Sequence, residues 1–510
     1  MTAIPTRAAA GIAGLASLII VWWVWGAINP IPIVSDEQSY VLQSRIFATG
    51  HWTAPSPPIS EFFEQSHVLT VPAVASKFPP GHALLMSLGT LIGSPTIMPL
   101  LLTALTGALL FLLARRAANV WVATLALIMW LGDPINLRFR PSYFSEITTQ
   151  AMWLVSWWAL LEWRQTRDRR WLLALAAAIG WGAITRPLTM LAFAIPVGVV
   201  VIRDVVRLKL WRDFGIAVAL GIMLLGVIPL WSSQTTGDWT LTPLTQYQRD
   251  YLPYDKPGFG VDTTAPARPL NIVNRFTYSE FYREHASHTV ANLPRIAVER
   301  LRVIAISEWS PRLILVPFVV VGLFSMSAEV AFALICSVGL FIAYLSYGHF
   351  SEWTLYYFEG VPVLSMLAAL GLWSVIKLVA ARVRGAHGTI LAARMAMAAL
   401  VPVVALTIHE ARTWRERHRQ DARWNVEFND MVSALPNNPM VIFVHYTPRL
   451  QPHPNIVRNS PHLDNETVWI VNDLGDRDHE LMRVAGPRVP IAFYEDGRRF
   501  EVDRSLLKRR

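Results

Sequence analysis

The chain has 510 residues, of which 53% are hydrophobic and only 16% are charged. Soluble domains average about 25% charged residues, so this composition excludes an ordinary soluble domain and indicates a polytopic membrane protein. The net charge of +9 comes from basic residues in short loops between apolar runs, the positive-inside pattern of membrane proteins, and we expect no nucleic-acid partner. A single cysteine, Cys336, excludes an intrachain disulfide.

Runs of apolar residues close to the roughly 20 that cross a bilayer predict eleven transmembrane helices. The first has no small-residue cleavage pattern after it, which favours an uncleaved span over a signal peptide. The stretch GHALLMSLGTLIG (81–93) is too short to span and is predicted to be an interfacial or re-entrant helix. The spans are expected at 9–27, 96–114, 118–132, 145–163, 171–185, 187–202, 213–231, 311–325, 329–346, 358–377 and 391–408.

The charge of the short loops orients these spans. With the N-terminus in the cytoplasm, four basic loops also lie there, whereas counting 81–93 as a span would place them outside, against the positive-inside rule. These loops are 114–119, 162–170, 203–213 and 377–388. The eleven-span arrangement therefore places the loops 28–95 and 232–310 and the C-terminal tail on the extracytoplasmic side.

The tail after residue 409 changes composition abruptly. A polar helical segment is followed by the runs MVIFVHY (440–446), TVWIVND (467–473) and VPIAFYED (489–496), which turn residues separate, as in strands. We expect a transmembrane domain at 1–409, with external loops 28–95 and 232–310, and a small soluble extracytoplasmic α/β domain at 410–510. The loop 232–310, rich in aromatic and basic residues, fits either an interfacial aromatic belt or a lid over a site.

The segment SDEQSYVLQSR (35–45) places Asp36 and Glu37 just past the first span. Ser35 and Gln38 fit a capping box, and acids in a first turn favour the helix dipole, so one explanation is that the acids only start a helix. On a helix running to about residue 49, Asp36 and Tyr40 share one face.

Further charged residues lie in loops that the span order places on the same side of the membrane. Ionisable groups at membrane depth are costly and usually functional, although a chance cluster of solvated loop charges is the alternative. Lysine and arginine bind phosphate, and a carboxylate can act as a general base on a hydroxyl. The residues are Lys77 and His82 in SKFPPGH, Arg138, Arg140 and Glu146 in the next external loop, and Arg186 in a TRP turn between two spans. Together they predict a site for a lipid phosphate.

The order of these features resembles the GT-C glycosyltransferases, in particular the family 39-like group of protein O-mannosyltransferases and lipid A aminoarabinose transferases. The resemblance rests on the first span, the DE pair, SRIFATGHWTAPSPPISEFF, SKFPPGHALL and the TRP turn, and it covers roughly residues 10–205. The tail does not resemble the β-trefoil of the protein mannosyltransferases, which weakens the case for a protein acceptor.

The resemblance implies a GT-C-like fold of about eleven transmembrane helices and an enzyme in the bacterial inner membrane. It would transfer a sugar from a polyprenyl-phosphate donor to a hydroxyl on the extracytoplasmic side, with inversion; the acceptor could be a glycan, a lipid or a protein. Asp36, Glu37 and Glu146 are the implied catalytic residues. Lys77 is the implied phosphate ligand, while Arg186, Arg138 and Arg140 are candidates by position, and Tyr40 and His82 are further candidates.

No cofactor is certain from the sequence, although paired carboxylates near His82 could hold a divalent metal. The alternative function is a transporter or flippase of a lipid-linked substrate. Transporters often carry internal repeats and ionisable residues at the bilayer midplane. This chain shows no repeat and places its ionisable residues at the span ends, which favours the enzyme.

Overall fold

The computed structural model describes residues 6–383, 385–450, 452 and 455–507. Within these ranges the chain forms mainly helices, with two small sheets. The helices are α1 (Thr6–Trp25), α2 (Ser35–Ala48), α3 (Gly81–Thr90), α4 (Ile97–Ala117), α5 (Val120–Leu131), α6 (Pro134–Phe139), α7 (Glu146–Thr166), α8 (Arg169–Ala183), α9 (Pro187–Leu208), α10 (Trp211–Leu225), α11 (Val227–Thr236), α12 (Pro243–Tyr251), α13 (Ile272–Ser287), α14 (Leu293–Trp309), α15 (Val316–Ser325), α16 (Ala328–Tyr344), α17 (Val361–Ala380), α18 (Ala386–Ser433), α19 (Asp478–Val484) and α20 (Arg504–Leu507). The strands are β1 (Ala54–Pro55), β2 (Val68–Leu69), β3 (Ala73–Ser76), β4 (Met440–His445), β5 (Val468–Asn472), β6 (Val489–Tyr494) and β7 (Arg499–Val502).

Packing divides the chain into two compact units. The helical unit comprises Met1–Pro30, Thr96–Gly226 and Ala291–Arg419. The mixed unit comprises Ile31–Pro95, Val227–Val290 and Gln420–Arg510. The three segments of the mixed unit come from the two long loops and the tail that the charge pattern places on one side of the membrane. The division into domains at residues 409 and 410 stays a prediction.

All eleven predicted spans coincide with helices. Among the described residues, seven helical stretches are long and apolar enough to cross a bilayer. The other four predicted spans fall on α5, α7, α8 and α16, which are shorter or, like α7, begin with polar residues. The seven stretches are Thr6–Trp25, Ile97–Ala117, Pro187–Leu208, Trp211–Thr236, Val290–Ser325, Thr354–Ala380 and Ala386–Ser433. The chain is an integral membrane protein.

The core of the helical unit is apolar and rich in tryptophan. Trp130, Trp153 and Trp157 are fully buried at its centre. Other apolar side chains on the helices face outwards, such as Phe324, which is 88% exposed. A helix that is apolar on every side suits a lipid environment, because lipid tails cover its outer face.

Two short helices of the mixed unit follow the sequence closely. α2 begins at Ser35 and ends at Ala48, within a residue of the predicted helix. The stretch 81–93 forms only the ten-residue helix α3, which is too short to span a bilayer, as predicted.

The tail forms a four-stranded sheet in the order β5-β4-β6-β7. β5, β4 and β6 run parallel, while β7 is antiparallel to β6. Alternate residues of β4 face opposite cores: Val441 and Phe443 pack with Phe62 and Leu481, and Ile442 packs on the other face. The three predicted strands are confirmed. β7 was not predicted because RFEV is a short, largely exposed edge strand with two charged residues, and an alternation of only four residues is a weak strand signal.

The loop segments add a small antiparallel sheet in the order β1-β3-β2. Val68 and Leu69 of β2 pair with Ser76 and Ala75 of β3. This pairing brings the segment before β2 next to the segment after β3, and both carry titratable side chains.

Candidate functional site

The mixed unit brings Asp36 next to a histidine that the sequence did not single out. Asp36 lies in the first turn of α2, and its carboxylate Oδ2 is 3.3 Å from His67 Nε2, just before β2. The Asp36 side chain is 39% exposed and that of His67 is 13% exposed. A carboxylate that is both held by a partner and open to solvent can meet a substrate hydroxyl.

The electrostatic surroundings keep Asp36 ionised. Burial raises its pKa, but His67 and then Lys77 oppose this effect, and the net result is a pKa below the usual aspartate value. Burial and the nearby Lys77 charge together lower the pKa of His67. Asp36 is therefore an anion at neutral pH, beside a histidine that favours its neutral form.

Lys77 follows β3 and is nearly enclosed, with 5% of its side chain exposed. Its Nζ lies 3.7 Å from Asp255 Oδ2 and above the rings of Phe78 and Tyr247, at 5.1 and 4.8 Å from their centroids. Aromatic faces attract a cation most strongly where water is excluded. The Lys77 ammonium group is thus held in place by its carboxylate and aromatic neighbours.

Glu37 has a different environment from Asp36. Its side chain is buried, and Oε2 accepts hydrogen bonds from the backbone N–H groups of Ile33 and Val34, at 2.8 and 3.2 Å. These contacts satisfy donors at the start of α2, so Glu37, rather than Ser35, caps the helix. The contacts favour a structural role for Glu37.

Tyr40 and His82 lie together in an aromatic cluster. The Tyr40 ring stacks on Phe78 at 4.8 Å and meets the His82 ring edge-on at 5.0 Å. His82 is fully buried on the first turn of α3. The cluster supports the segment that carries Lys77, and these contacts are those of packing residues.

A second ion pair in the mixed unit was also missed. Glu64 is buried, accepts a hydrogen bond from the Tyr251 hydroxyl at 2.9 Å, and lies 3.2 Å from Arg268 Nη2. Burial raises the pKa of Glu64 to about 7, although Arg268 opposes the shift. No sequence signal links these residues, because their segments meet only in the folded chain.

In the helical unit, Glu146 and Arg186 form a close pair. Arg186 precedes Pro187 at the start of α9, and its Nη1 is 2.7 Å from Oε1 of Glu146, the first residue of α7. Arg186 also donates to the Tyr344 hydroxyl at 3.0 Å and lies over the Tyr356 ring. The two predicted residues are therefore neighbours, and Arg186 keeps 16% of its side chain exposed.

Glu359 is a further acid of the helical unit that sequence reasoning did not find. It is buried and accepts a hydrogen bond from the Thr149 hydroxyl. Within the described part of the chain, its Oε2 atom has no hydrogen-bond partner. It lies at the start of an apolar run, where a single acid gives no recognisable pattern.

The two arginines before α7 differ in exposure. Arg140 is fully buried between the rings of Trp130 and Phe358 and donates to Asn136, Thr103 and Gln150. Arg138 is partly exposed and donates to the backbone oxygen of Glu352 at 3.3 Å. The contacts of Arg140 favour a structural role, and the phosphate-binding assignment of both residues stays a prediction.

Among the residues that the structure describes, no group of three or more His, Cys, Asp or Glu side chains is arranged to hold a metal ion.

Comparison with known proteins adds to this geometry. Residues 77–232 match the family model of dolichyl-phosphate-mannose-protein mannosyltransferase. The fold is similar to the crystal structure of ArnT from Cupriavidus metallidurans bound to undecaprenyl phosphate, with a TM-score of 0.51 and 15% identity over 95% of this chain and 93% of that one. The apo structure of the same protein matches with a TM-score of 0.51 and 16% identity over 96% and 94% of the two chains. No curated protein sequence matches the chain.

The chain has the fold of the GT-C-type membrane glycosyltransferases, and its segment 77–232 matches a glycosyltransferase family model. The fold and the enzyme class expected from the sequence are thereby confirmed. Asp36 and Glu37 of this glycosyltransferase lie outside the matched segment. The matched segment contains the other charged candidates and His82, namely Lys77, His82, Arg138, Arg140, Glu146 and Arg186.

Proposed function

We propose that this glycosyltransferase moves a sugar from a polyprenyl phosphate to a hydroxyl acceptor, with inversion, on the extracytoplasmic side of a bacterial inner membrane. The observation that carries the proposal is the Asp36 carboxylate, which is 39% exposed. His67 and Lys77 lower its pKa, although burial opposes them. The likeness to a structure that contains undecaprenyl phosphate motivates the choice of donor.

In the proposed reaction Asp36 acts as general base. The acceptor oxygen attacks the anomeric carbon, and its proton passes to the Asp36 carboxylate. The bond between that carbon and the phosphate oxygen breaks, and polyprenyl phosphate leaves with the electron pair. One displacement inverts the anomeric centre. The leaving group is already a stable anion, so the step requires no general acid.

Lys77 is proposed to stabilise the departing phosphate. Its ammonium group is already positioned by Asp255 and by two aromatic rings, so little reorganisation is needed when negative charge develops. In the helical unit, Arg186, Arg138 and Arg140 are the candidates for a further phosphate ligand, and Glu146 is the candidate for a further catalytic residue. Of these arginines, Arg186 has the best case, because it combines a partner carboxylate with partial exposure.

The sidedness proposal rests on charge. The short loops that the span order places together on one side are basic, as the positive-inside rule expects of the cytoplasm, and the mixed unit is built from segments assigned to the other side. Fusions of alkaline phosphatase and of green fluorescent protein to the C-terminus test this proposal. An active phosphatase with a dark fluorescent fusion is expected, and the reverse result would overturn the sidedness.

The activity is tested with the purified protein in lipid nanodiscs and a panel of undecaprenyl-phosphate sugars. Mass spectrometry follows loss of the donor and appearance of undecaprenyl phosphate. A lysate fraction supplies the acceptor, so the acceptor need not be identified. Wild type should release undecaprenyl phosphate and Asp36→Asn should not. A protein that moves a fluorescent donor between leaflets of liposomes without consuming it would instead be the alternative, a flippase.

A further inference from the structure

We infer that His67 is a positioning residue that donates a hydrogen bond from Nε2 to Asp36 and so fixes the catalytic carboxylate; this inference rests on the proposed function. His67 lies on a connecting segment between two structured elements, with no helix or strand to hold it. Its position therefore depends on specific contacts of its backbone and ring.

The His67 backbone is fixed from two sides. Its N–H donates to the Tyr247 hydroxyl at 2.9 Å, and its carbonyl accepts from the Lys77 N–H at 3.0 Å. Its φ of 67° lies in the left-handed region, which non-glycine residues rarely occupy unless their surroundings impose it. The conformation turns the chain so that the backbone joins Lys77 and Tyr247 while the imidazole meets Asp36.

The ring environment defines the tautomer. Nε2 is 3.3 Å from Asp36 Oδ2, whereas Nδ1 is buried and, among the described residues, has no hydrogen-bond partner. A neutral imidazole with its proton on Nε2 satisfies the carboxylate. A proton on Nδ1 would be a buried donor without an acceptor, which is unfavourable.

The charged and titratable groups around His67 agree with that tautomer. They are Asp36 from α2, Lys77 after β3, and Tyr247 and Asp255 from α12 and the turn that follows it. The Lys77 charge disfavours a second proton on the ring, and the two acids partly offset it, with burial deciding for the neutral form. His67 therefore acts as a neutral donor to Asp36 Oδ2, which leaves Oδ1 to receive the acceptor proton.

Two variants of His67 separate a positioning role from a folding role, because both place a non-glycine side chain at the same left-handed backbone position. His67→Gln keeps a neutral amide donor at similar reach, and His67→Leu removes it. The readout is the pH dependence of kcat/KM, whose acid limb reports the ionisation of the base. The midpoint of the acid limb should move up by on the order of one pH unit in His67→Leu, because a hydrogen bond to the charged form of Asp36 is lost. In His67→Gln the midpoint should stay where it is in wild type.

His51→Gln is the matched control, because His51 is exposed and its Nδ1 lies 3.2 Å from the Thr49 hydroxyl, away from Asp36 in the sequence. Equal loss of turnover in the leucine and glutamine variants with an unmoved acid limb would show that His67 is structural only. If Asp36→Asn keeps near wild-type turnover, the proposed base is wrong and this inference falls with it. If Asp36→Asn is inactive but the acid limb of His67→Leu does not move, the inference about His67 is wrong while the proposed function stands.

A second readout does not require turnover. The chain has 13 histidines, and the ¹⁵N-histidine NMR signal that disappears in His67→Gln belongs to residue 67. We expect it to show the neutral Nε2–H tautomer at pH 7 and above, since burial and the Lys77 charge lower its pKa from 6.5. A doubly protonated ring at pH 7, or a neutral Nδ1–H tautomer, would overturn the inference.

Discussion

Glu37 Oε2 lies 2.8 Å from the backbone nitrogen of Ile33 and accepts a hydrogen bond from it at the start of α2. The acid next to Asp36 is therefore already engaged by the backbone. Two adjacent carboxylates therefore meet different partners, one the backbone and the other His67. The sequence placed them together as catalytic candidates. The structure gives a physical reason to separate their roles.

The first prediction compares Asp36→Asn with Glu37→Gln. Loss of a general base typically lowers the rate by about 10²–10⁴-fold, and we expect Asp36→Asn to bind donor but to lose turnover by that factor. Glu37→Gln keeps an acceptor oxygen for Ile33 and should lower stability by about 1 kcal/mol or less, with little change in turnover. Donor binding, turnover and thermal unfolding are measured for both. Near wild-type turnover in Asp36→Asn would contradict the assignment.

The second prediction concerns the buried pair of Lys77 and Asp255. Lys77→Met leaves the Asp255 carboxylate without its lysine, and breaking a buried pair in this way costs about 3–5 kcal/mol. The double variant Lys77→Met/Asp255→Asn should recover most of that stability, yet it should still bind the donor weakly because the Lys77 ammonium group is gone.

Lys256→Gln serves as the control for this pair, because Lys256 is 53% exposed and pairs with Asp262 at the surface. Thermal unfolding and a donor-binding titration are needed together. Restored donor affinity in the double variant would show that Lys77 does not hold the phosphate.

The third prediction separates the two best-defined arginines of the helical unit. Arg140→Lys loses a planar group held between two rings and by three side-chain acceptors, so it should lower stability without a specific effect on donor KM. Arg186→Lys keeps the charge near Glu146 but loses the bidentate geometry that suits phosphate, so it should raise donor KM with a smaller change in unfolding. A raised donor KM in Arg140→Lys together with a loss of stability alone in Arg186→Lys would contradict the assignment.

The sequence predicted the helices well because a span must satisfy its own backbone and present apolar side chains to lipid. Length and composition thus located all eleven helical regions, and alternating or β-branched runs between turn residues located β4, β5 and β6. The sequence was less informative about β7, which has only four residues, most of them exposed. Local rules sufficed wherever the solvent, rather than a distant segment, decides the structure.

The candidate site shows where such rules stop. Asp36 and Lys77 were predicted from their position in one loop and from the family resemblance. His67, Asp255 and Glu64 were not, because what marks them is contact with Asp36, Lys77 and Arg268, and those contacts form only on folding. A single histidine or acid in a loop carries no spacing that would have identified it.

The fourth prediction uses the raised pKa of Glu64. Burial moves it from 4.5 to about 7, so between these values the folded protein holds a proton that the unfolded chain has released. Stability therefore falls as the pH rises through that interval. Glu64→Gln removes the ionisation, and its stability relative to wild type should improve between pH 5 and pH 8. Thermal unfolding across this range tests the sign, with Glu61→Gln as the neighbouring control; a parallel pH dependence in Glu64→Gln and wild type would contradict it.

The last prediction concerns the close packing of α15 against α17. A Cβ at Gly371 would collide with the backbone carbonyl oxygen of Phe318 and lie 2.8 Å from the Gly322 nitrogen. Backbone cannot move aside as a flexible side chain can, so the two helices would have to separate. Small residues that allow such close approach are typical of helix contacts in membranes.

Gly371→Ala should therefore lower the stability of the helical unit by about 1–3 kcal/mol, the usual effect of overpacking. Gly11→Ala is the matched control, because a Cβ at this exposed position of α1 meets nothing within 4 Å. Alanine has the higher helix propensity, by about 1 kcal/mol, so the control should unfold at the same temperature as wild type or slightly higher. Thermal unfolding in nanodiscs measures both variants. If Gly371→Ala is as stable as Gly11→Ala, α15 and α17 do not pack at the distance that the structure shows.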